Sequence, residues 1–269
     1  MKKKETFRYS VLLSLFFVPY LLTIAINGIE AAILNHSPDP EMFIPVLVSR
    51  QIPEEYQKEA IKAQAVIART NFLRKIEETN FLQALQETGN EKNLWKIPDS
   101  VYEMAAEETE GQVLTANGKL NLVPYHEISG GVTRDGKEAF HNDQYAYLKS
   151  VDSSVDKESP FYLNSTYIPL QQMPSSLNIR ERESSGYIKS LSADGNLLEG
   201  ESFARGMSLA STNFSVQKIG EQIRFLCKGR GHGLGFSQNG GNEMAKKGSD
   251  WKEILETYFP GMELAVYGG

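Results

Sequence analysis

Apolar and polar positions divide this chain into segments of different period. Near the N-terminus, residues 11–29 are apolar apart from Ser14, Pro19, Thr23 and the pair Asn27-Gly28. At ~1.5 Å per residue such a run spans close to ~30 Å, the thickness of a bilayer core. Lys2, Lys3, Lys4 and Arg8 precede it, which predicts a cytoplasmic N-terminus with the rest of the chain outside the cell membrane. A cleaved signal peptide and an uncleaved anchor both take this form. The length of the run and the poor cleavage sequence Glu30-Ala31-Ala32 favour one single-pass transmembrane helix over 1–29. Residues 30–42 then form a polar link with Pro38 and Pro40.

Beyond the link, an apolar run over 43–49 leads into Ile52-Pro53. Helical spacing follows at Tyr56, Ala60, Ala63, Ile67 and Phe72, with Ala65 and Ala68 alongside. Pro53, Glu54 and Glu55 suit the first turn of that helix and its positive dipole end. Its alanine face lets another element approach closely. Further helices are predicted over 80–87, 101–110 and 241–258, the last ended by Phe259-Pro260-Gly261. Strands are predicted over 111–115, turning at Asn117-Gly118 into 120–123, over 185–191, and as a pair within 214–227 around Gly220-Glu221. Residues 150–183 are polar and lack a period. Hairpins mixed with separate helices indicate a single α+β domain over 43–269, with helices packed on antiparallel hairpins rather than a doubly wound sheet.

Composition narrows the class. The 269 residues carry a formal net charge of −6, so nothing suggests the basic face of a nucleic-acid binder. Cys227 is the one cysteine, which excludes a disulfide within the chain and any cysteine-rich zinc site. It follows Ile223-Arg224-Phe225-Leu226 and reads as a buried strand residue.

Residues 228–238, Lys-Gly-Arg-Gly-His-Gly-Leu-Gly-Phe-Ser-Gln, stand apart. Gly229, Gly231, Gly233 and Gly235 alternate with Arg230, His232 and Leu234. A strand does not normally tolerate such a run. It suits a backbone that passes close to a ligand or turns where other residues cannot. With a guanidinium, an imidazole, a hydroxyl and an amide in one short segment, it reads as a binding or catalytic loop. Ser237 also suits a helix N-cap, and Gln64 and Arg69 on the alanine-rich helix read as architectural. A serine hydrolase is excluded by context, because Ser129 lies in Ser-Gly-Gly and not in a nucleophile elbow.

Several of these segments resemble, in order, the stage II sporulation protein D family (SpoIID), with the amidase enhancer LytB among its members. Arg50-Gln51-Ile52-Pro53 stands where the family has a Ser-Glu-Met-Pro-like element. Residues 59–70, Glu-Ala-Ile-Lys-Ala-Gln-Ala-Val-Ile-Ala-Arg-Thr, match the family's alanine-rich helix. Gly111 to Leu114, the loop His126-Glu127-Ile128-Ser129-Gly130-Gly131, Tyr147 to Val151, residues 229–238 and the closing run 251–261 also match. The resemblance implies a membrane-anchored protein acting on peptidoglycan glycan strands during engulfment in sporulation. It implies lytic transglycosylase activity and work alongside a cell-wall amidase and other engulfment proteins. The substrate-binding positions it implies are His126, Ser129, Gly130, Gly131, Arg230, His232, Ser237 and Gln238.

One departure bears on catalysis. The family's acid, the glutamate of Ser-Glu-Met-Pro, is replaced here by Gln51, and an amide cannot donate a proton to a glycosidic oxygen at neutral pH. Three possibilities stay open. The protein binds glycan without cutting it, acting as a wall module or scaffold that recruits or stimulates an amidase; a nearby carboxylate (Glu54, Glu55 or Glu59) substitutes; or the match of Gln51 to the acid is off by a few residues or the chemistry takes another route. Glu59 matches a glutamate common in the family. Some relatives hold zinc with Cys and His near the Ser-Gly-Gly loop. Here only His126 and His141 are available, so no metal or other cofactor is expected.

Overall fold

The computed structural model describes residues 18, 21–22, 24–26, 39–89 and 98–268. Most of the predicted membrane segment lies outside them, and among the described residues no helix is long and apolar enough to cross a membrane. The chain divides into two compact units, Met1–Met42 and Phe43–Gly269. The second is a mixed α+β unit, and it carries the site.

Its organising element is helix α2 (Lys58–Glu78), flanked by α1 (Ile44–Val48), α3 (Phe81–Gly89) and α4 (Ser100–Glu108). Ala60, Ile61, Ala65, Ala68 and Phe72 of α2 pack against Ile44, Leu47 and Val48 of α1 and Tyr102 and Ala105 of α4. The opposite face, Ala63, Val66 and Ile67, packs against Leu114, Phe236, Ile254, Leu255 and Tyr258. A helix apolar on both faces is one enclosed by its neighbours. Arg69 is fully buried on it. Its guanidinium donates to the carbonyls of Ala106 and Gln112 and to Thr109 Oγ1. A cation is thereby set at the carbonyl end of α4, where the helix dipole favours it.

The helix starts at Lys58, not at Pro53. Gln57 is extended (ψ 142°), and its N–H is held 2.7 Å from Asn242 Oδ1. Residues 53–56 form a turn, closed by Tyr56 N–H on Pro53 O.

Strand β1 (Gln112–Ala116) pairs antiparallel with β2 (Lys119–Leu120) and with β11 (Glu263–Val266) at the chain's far end. Strand β3 (Tyr125–His126) leads through the Ser-Gly-Gly bend to a short helix, α5 (Gly136–Phe140). Residues 150–183, expected to be irregular, contain β4 (Leu163–Pro169) and β5 (Leu177–Arg182). With β6 (Ile188–Ala193), β7 (Asn196–Glu199), β8 (Phe214–Ile219) and β9 (Gln222–Lys228) they make two antiparallel three-stranded sheets, β4-β9-β8 and β5-β6-β7. Helix α6 (Gly200–Gly206) lies between β7 and β8 in the chain. Phe203, Phe214, Phe225, Ile188, Leu191 and the fully buried Cys227 fill a third core among these elements.

Strand β10 (Phe236–Ser237) pairs parallel with β3, Phe236 opposite Tyr125 and Ser237 opposite His126. The helix expected over 241–258 is two, α7 (Gln238–Lys246) and α8 (Trp251–Tyr258). Gly248 breaks it at φ +101°. Asp250 then caps α8 in a reciprocal pair with Glu253, the Asp-x-x-Glu form of a capping box.

Candidate functional site

The glycine segment lies against the protein's own backbone. Arg230 and Ile128 exchange backbone hydrogen bonds, and Arg134 N–H donates to Gly233 O at 2.8 Å. All four alternating glycines have positive φ. At Gly235 (φ +65°) a Cβ would overlap the carbonyl oxygen of Pro124, and at Gly229 (φ +72°) those of Ile128 and Ser129. Only glycine permits both the dihedral and the approach. The glycines therefore serve a backbone-to-backbone contact inside the fold.

What fastens this contact is Asp156, a fully buried carboxylate in the 3-10 turn Ser154–Glu158. It accepts from Ser129 N–H at 3.0 Å, Ser153 Oγ at 2.8 Å, Ser237 Oγ at 2.7 Å and Asn239 Nδ2 at 2.8 Å. The Ser-Gly-Gly bend and the start of α7 are thus joined through one side chain. Ser237 in turn accepts from Gly240 N–H as the N-cap of α7.

Three glutamines carry the junction on to α2. Gln238 Nε2 donates to Gln51 O at 2.6 Å and to Gln64 Oε1 at 3.1 Å, and Gln64 Nε2 donates to Gln51 Oε1 at 2.7 Å. Gln64 is fully buried, Gln238 nearly so and Gln51 half-buried. Gln51 opens on a cleft of about 360 Å³ that is also lined by Arg50, Tyr56, Tyr102, Glu127 and Gln238. Burial, then nearby carboxylates led by Glu127, raise the Tyr56 phenol above its ordinary value, so it is a neutral hydroxyl at physiological pH. The wall of this cleft offers carboxamides, a phenol, a guanidinium and one carboxylate. That set hydrogen-bonds neutral hydroxylated ligands.

The remaining predicted residues are placed as follows. Arg230 donates to Glu127 Oε1 at 3.3 Å and to Asn164 Oδ1 at 3.1 Å, at the rim beside the cleft-lining Glu127. Ser129 is fully buried and its Oγ accepts from Gly131 N–H. Gly130 N–H donates to Tyr187 Oη, and Gly130 O accepts from Tyr162 Oη. These groups shape the bend and do not face the cleft. Glu59 sits in the first turn of α2, bound to Lys62 Nζ at 2.6 Å and to the Trp251 N–H at 3.0 Å. Neither it nor Glu54 or Glu55 lines the cleft with Gln51.

The histidines lie behind the junction. His126 is buried, and its Nδ1 is 2.9 Å from Leu234 O. A carbonyl only accepts, so Nδ1 carries the proton and Nε2 is the bare nitrogen, buried without a hydrogen-bond partner. Burial, followed by the neighbouring His232 and Arg134, pushes the His126 imidazole down to about 3. His232, its ring 5.7 Å from that of His126, accepts from Leu234 N–H through Nδ1. It opens on a second cleft of about 660 Å³, lined also by Arg134, Glu201, Arg205, Tyr125 and Phe140. The shared cleft therefore gathers Gln51, Glu127 and Gln238, and the two histidines stand outside it.

His126 stays neutral in the fold over a pH range where an unfolded histidine is charged. Between about pH 6.5 and about 3 the unfolded chain binds the extra proton, so stability falls as pH falls through that window, by up to ~1.4 kcal/mol per pH unit. Urea denaturation midpoints measured across it should drop, and His126→Asn, whose amide can still donate to Leu234 O, should flatten the slope.

Residues 33–115, which include Gln51 and the Gln64 helix, match the family model described as SpoIID, Stage II sporulation protein. The chain is 27% identical over 263 residues to Stage II sporulation protein D of Bacillus amyloliquefaciens, covering 86% of this chain and 76% of that protein. It is likewise 27% identical over 259 residues to Stage II sporulation protein D of Bacillus subtilis, covering 84% and 74%. The chain is similar to stage II sporulation protein D. The Amidase enhancer of Bacillus subtilis is 24% identical over 300 residues, which span 82% of this chain but 40% of that protein.

Cys227 is buried in the third core, and Nδ1 of both His126 and His232 is committed to Leu234. His141 belongs to an exposed surface with Lys137, Asp143 and Lys189. Among the described residues no three His, Cys, Asp or Glu side chains gather to hold a metal.

Sequence reasoning missed Asp156, Glu127 and Tyr56. Glu127 and Tyr56 carried a usable signal: Glu127 lies inside a matched loop, and Tyr56 lies between two matched segments. Asp156 carried none, because its partners are distant in sequence.

Proposed function

We propose that this protein binds cell-wall glycan strands in the Gln51 cleft and works on or at peptidoglycan during sporulation. The observation that carries the reading is the glutamine chain Gln51–Gln64–Gln238, which ties Gln51 and Gln238 through the buried Gln64 at one open polar cleft. Uncharged amides and a neutral phenol suit sugar hydroxyls and amido groups, and the relatives' names, stage II sporulation protein D and amidase enhancer, support a sporulation role connected with an amidase. The basic and apolar N-terminal segment supports a cell-membrane anchor with the α+β unit outside. A cell-wall amidase is the partner suggested by the amidase-enhancer relative. Gln51 keeps the shape of a carboxyl group and loses its proton, so binding is retained at that position while acid catalysis there is not.

Sedimentation of the protein with purified peptidoglycan tests this. Wild type should pellet with the wall. Tyr56→Ala and Gln238→Ala, checked for retained fold by circular dichroism, should weaken pelleting by roughly 5–30-fold in affinity, the equivalent of ~1–2 kcal/mol per lost hydrogen-bonding group. Wild type that stays in the supernatant would overturn the glycan reading.

A further inference from the structure

We propose that Glu127 is the acid–base carboxylate of this chain, lining the same cleft as Gln51, the residue that stands where the resemblance places the acid. The inference rests on reading the cleft as a glycan site, and it names the group that would act there. Among the described residues lining the cleft, Glu127 is the one carboxylate.

Its placement is rigid. The Glu127 carbonyl accepts from Asn239 N–H at 3.0 Å, and the next residue, Ile128, exchanges two backbone bonds with Arg230. Asn239 is itself held by Asp156. On the side chain, Oε1 accepts from Arg230, and Arg230 is braced by Asn164. Oε2 has no hydrogen-bond partner among the described residues. A carboxylate held through one oxygen on a fixed backbone, with the other oxygen unused, has the preorganisation that proton transfer requires. Tyr56 and Gln51 stand in the same cleft as neutral groups able to hold the sugar.

The reaction closes without a co-reactant. The Glu127 carboxyl proton passes to the glycosidic oxygen as the bond from that oxygen to C1 breaks. The resulting carboxylate then takes the proton of the same sugar's 6-hydroxyl as that oxygen bonds to C1. The acid is restored, and one strand ends in a 1,6-anhydro sugar.

The test uses the full chain and purified peptidoglycan, with two readouts: sedimentation with the wall, and anhydro-muropeptides released, identified by mass. Wild type should pellet and release them. Glu127→Gln should release at least ~10²-fold less per molecule pelleted, the contribution of a positioned acid–base group. Glu127→Asp should recover part of the release. The double variant Gln51→Glu/Glu127→Gln, with the carboxylate moved to position 51, should recover release as well. A role of Glu127 in shaping the loop alone would not be rescued from position 51. Unreduced release by Glu127→Gln, or wild type that pellets but releases nothing, would overturn the proposal while leaving glycan binding in place. Wild type that neither pellets nor releases would end both.

Discussion

Replacing Asp156 by alanine is expected to destabilise the fold by about 3–5 kcal/mol, measured by urea denaturation. The carboxylate is fully buried and accepts four hydrogen bonds. Hydrogen bonds to a charged group are individually worth ~1.5–3 kcal/mol, and a buried donor left without its partner adds the cost of its desolvation. Not all four donors are stranded to the same degree. The hydroxyls of Ser153 and Ser237 can turn elsewhere, and Ser153 already contacts Tyr258 Oη at 2.7 Å. The N–H of Ser129 is fixed in the bend and cannot. Asp156→Asn should therefore lose less, about 2–3 kcal/mol, because its one remaining oxygen can serve some of the donors. Both variants should lose wall binding in proportion to the unfolded fraction. A destabilisation under ~1 kcal/mol for the alanine variant would show that the motif segments hold together without this hub.

The second large effect concerns Arg134 and Glu183, whose side chains are 5% and 1% exposed. Arg134 Nε donates to Glu183 Oε2 at 2.7 Å, and Nη2 donates to Oε1 in a two-pronged pair. Nη1 reaches Glu201 and, at 3.0 Å, the His232 carbonyl, while the guanidinium lies 5.2 Å from the centre of the Tyr187 ring. Burial opposes the charge on Arg134, and Glu183 and Glu201 more than offset that, raising its pKa above the ordinary value. Glu183→Ala leaves a buried cation with the half-exposed Glu201 alone and should cost about 3–5 kcal/mol. Arg134→Met combined with Glu183→Leu should recover most of that loss, since apolar replacement of a whole buried pair is often neutral. If the double variant is no better than Glu183→Ala alone, the pair contributes more than mutual neutralisation, and the grip of Arg134 on the glycine segment is the remaining term.

Much of the helical half was legible because its signals are local. The spacing of Ala60, Ala63, Ile67 and Phe72 marked α2, and the turn pairs Asn117-Gly118 and Gly220-Glu221 marked hairpins. Strand β4 was hidden for a physical reason. Its half-buried positions include Asn164 and Thr166, whereas Leu163 and Tyr167 point outward and are exposed. The alternation is present, but hydropathy does not follow it. The break before α8 was readable in Asp250-x-x-Glu253 and was obscured by the continuous run of helix formers around it.

The candidate site was legible as a set of pieces and not as a surface. Glycines at alternate positions signalled a close approach. They did not say that the approaching partner is the Ser-Gly-Gly bend, and so the histidines were expected at the cleft rather than behind it. Asp156 had no signal in a polar stretch, since its partners Ser129, Ser237 and Asn239 lie 27, 81 and 83 positions away. Gln51 drew notice as a missing acid, and that drew attention to neighbours in sequence such as Glu59 and away from Glu127, which lines the same cleft.

The bond from Gln238 to Gln51 joins positions 187 apart. Closure of so large a loop has to be paid in entropy before its contacts reward it, and chains rich in such distant pairings fold slowly. During synthesis, a nascent chain ending short of residue 238 lacks the side chain that bonds Gln51 and Gln64 and completes the cleft lining, however well α2 and its partner helices have formed. On the glycan reading proposed above, a ribosome-released fragment that stops short of residue 238 should compete poorly for the wall against the finished molecule.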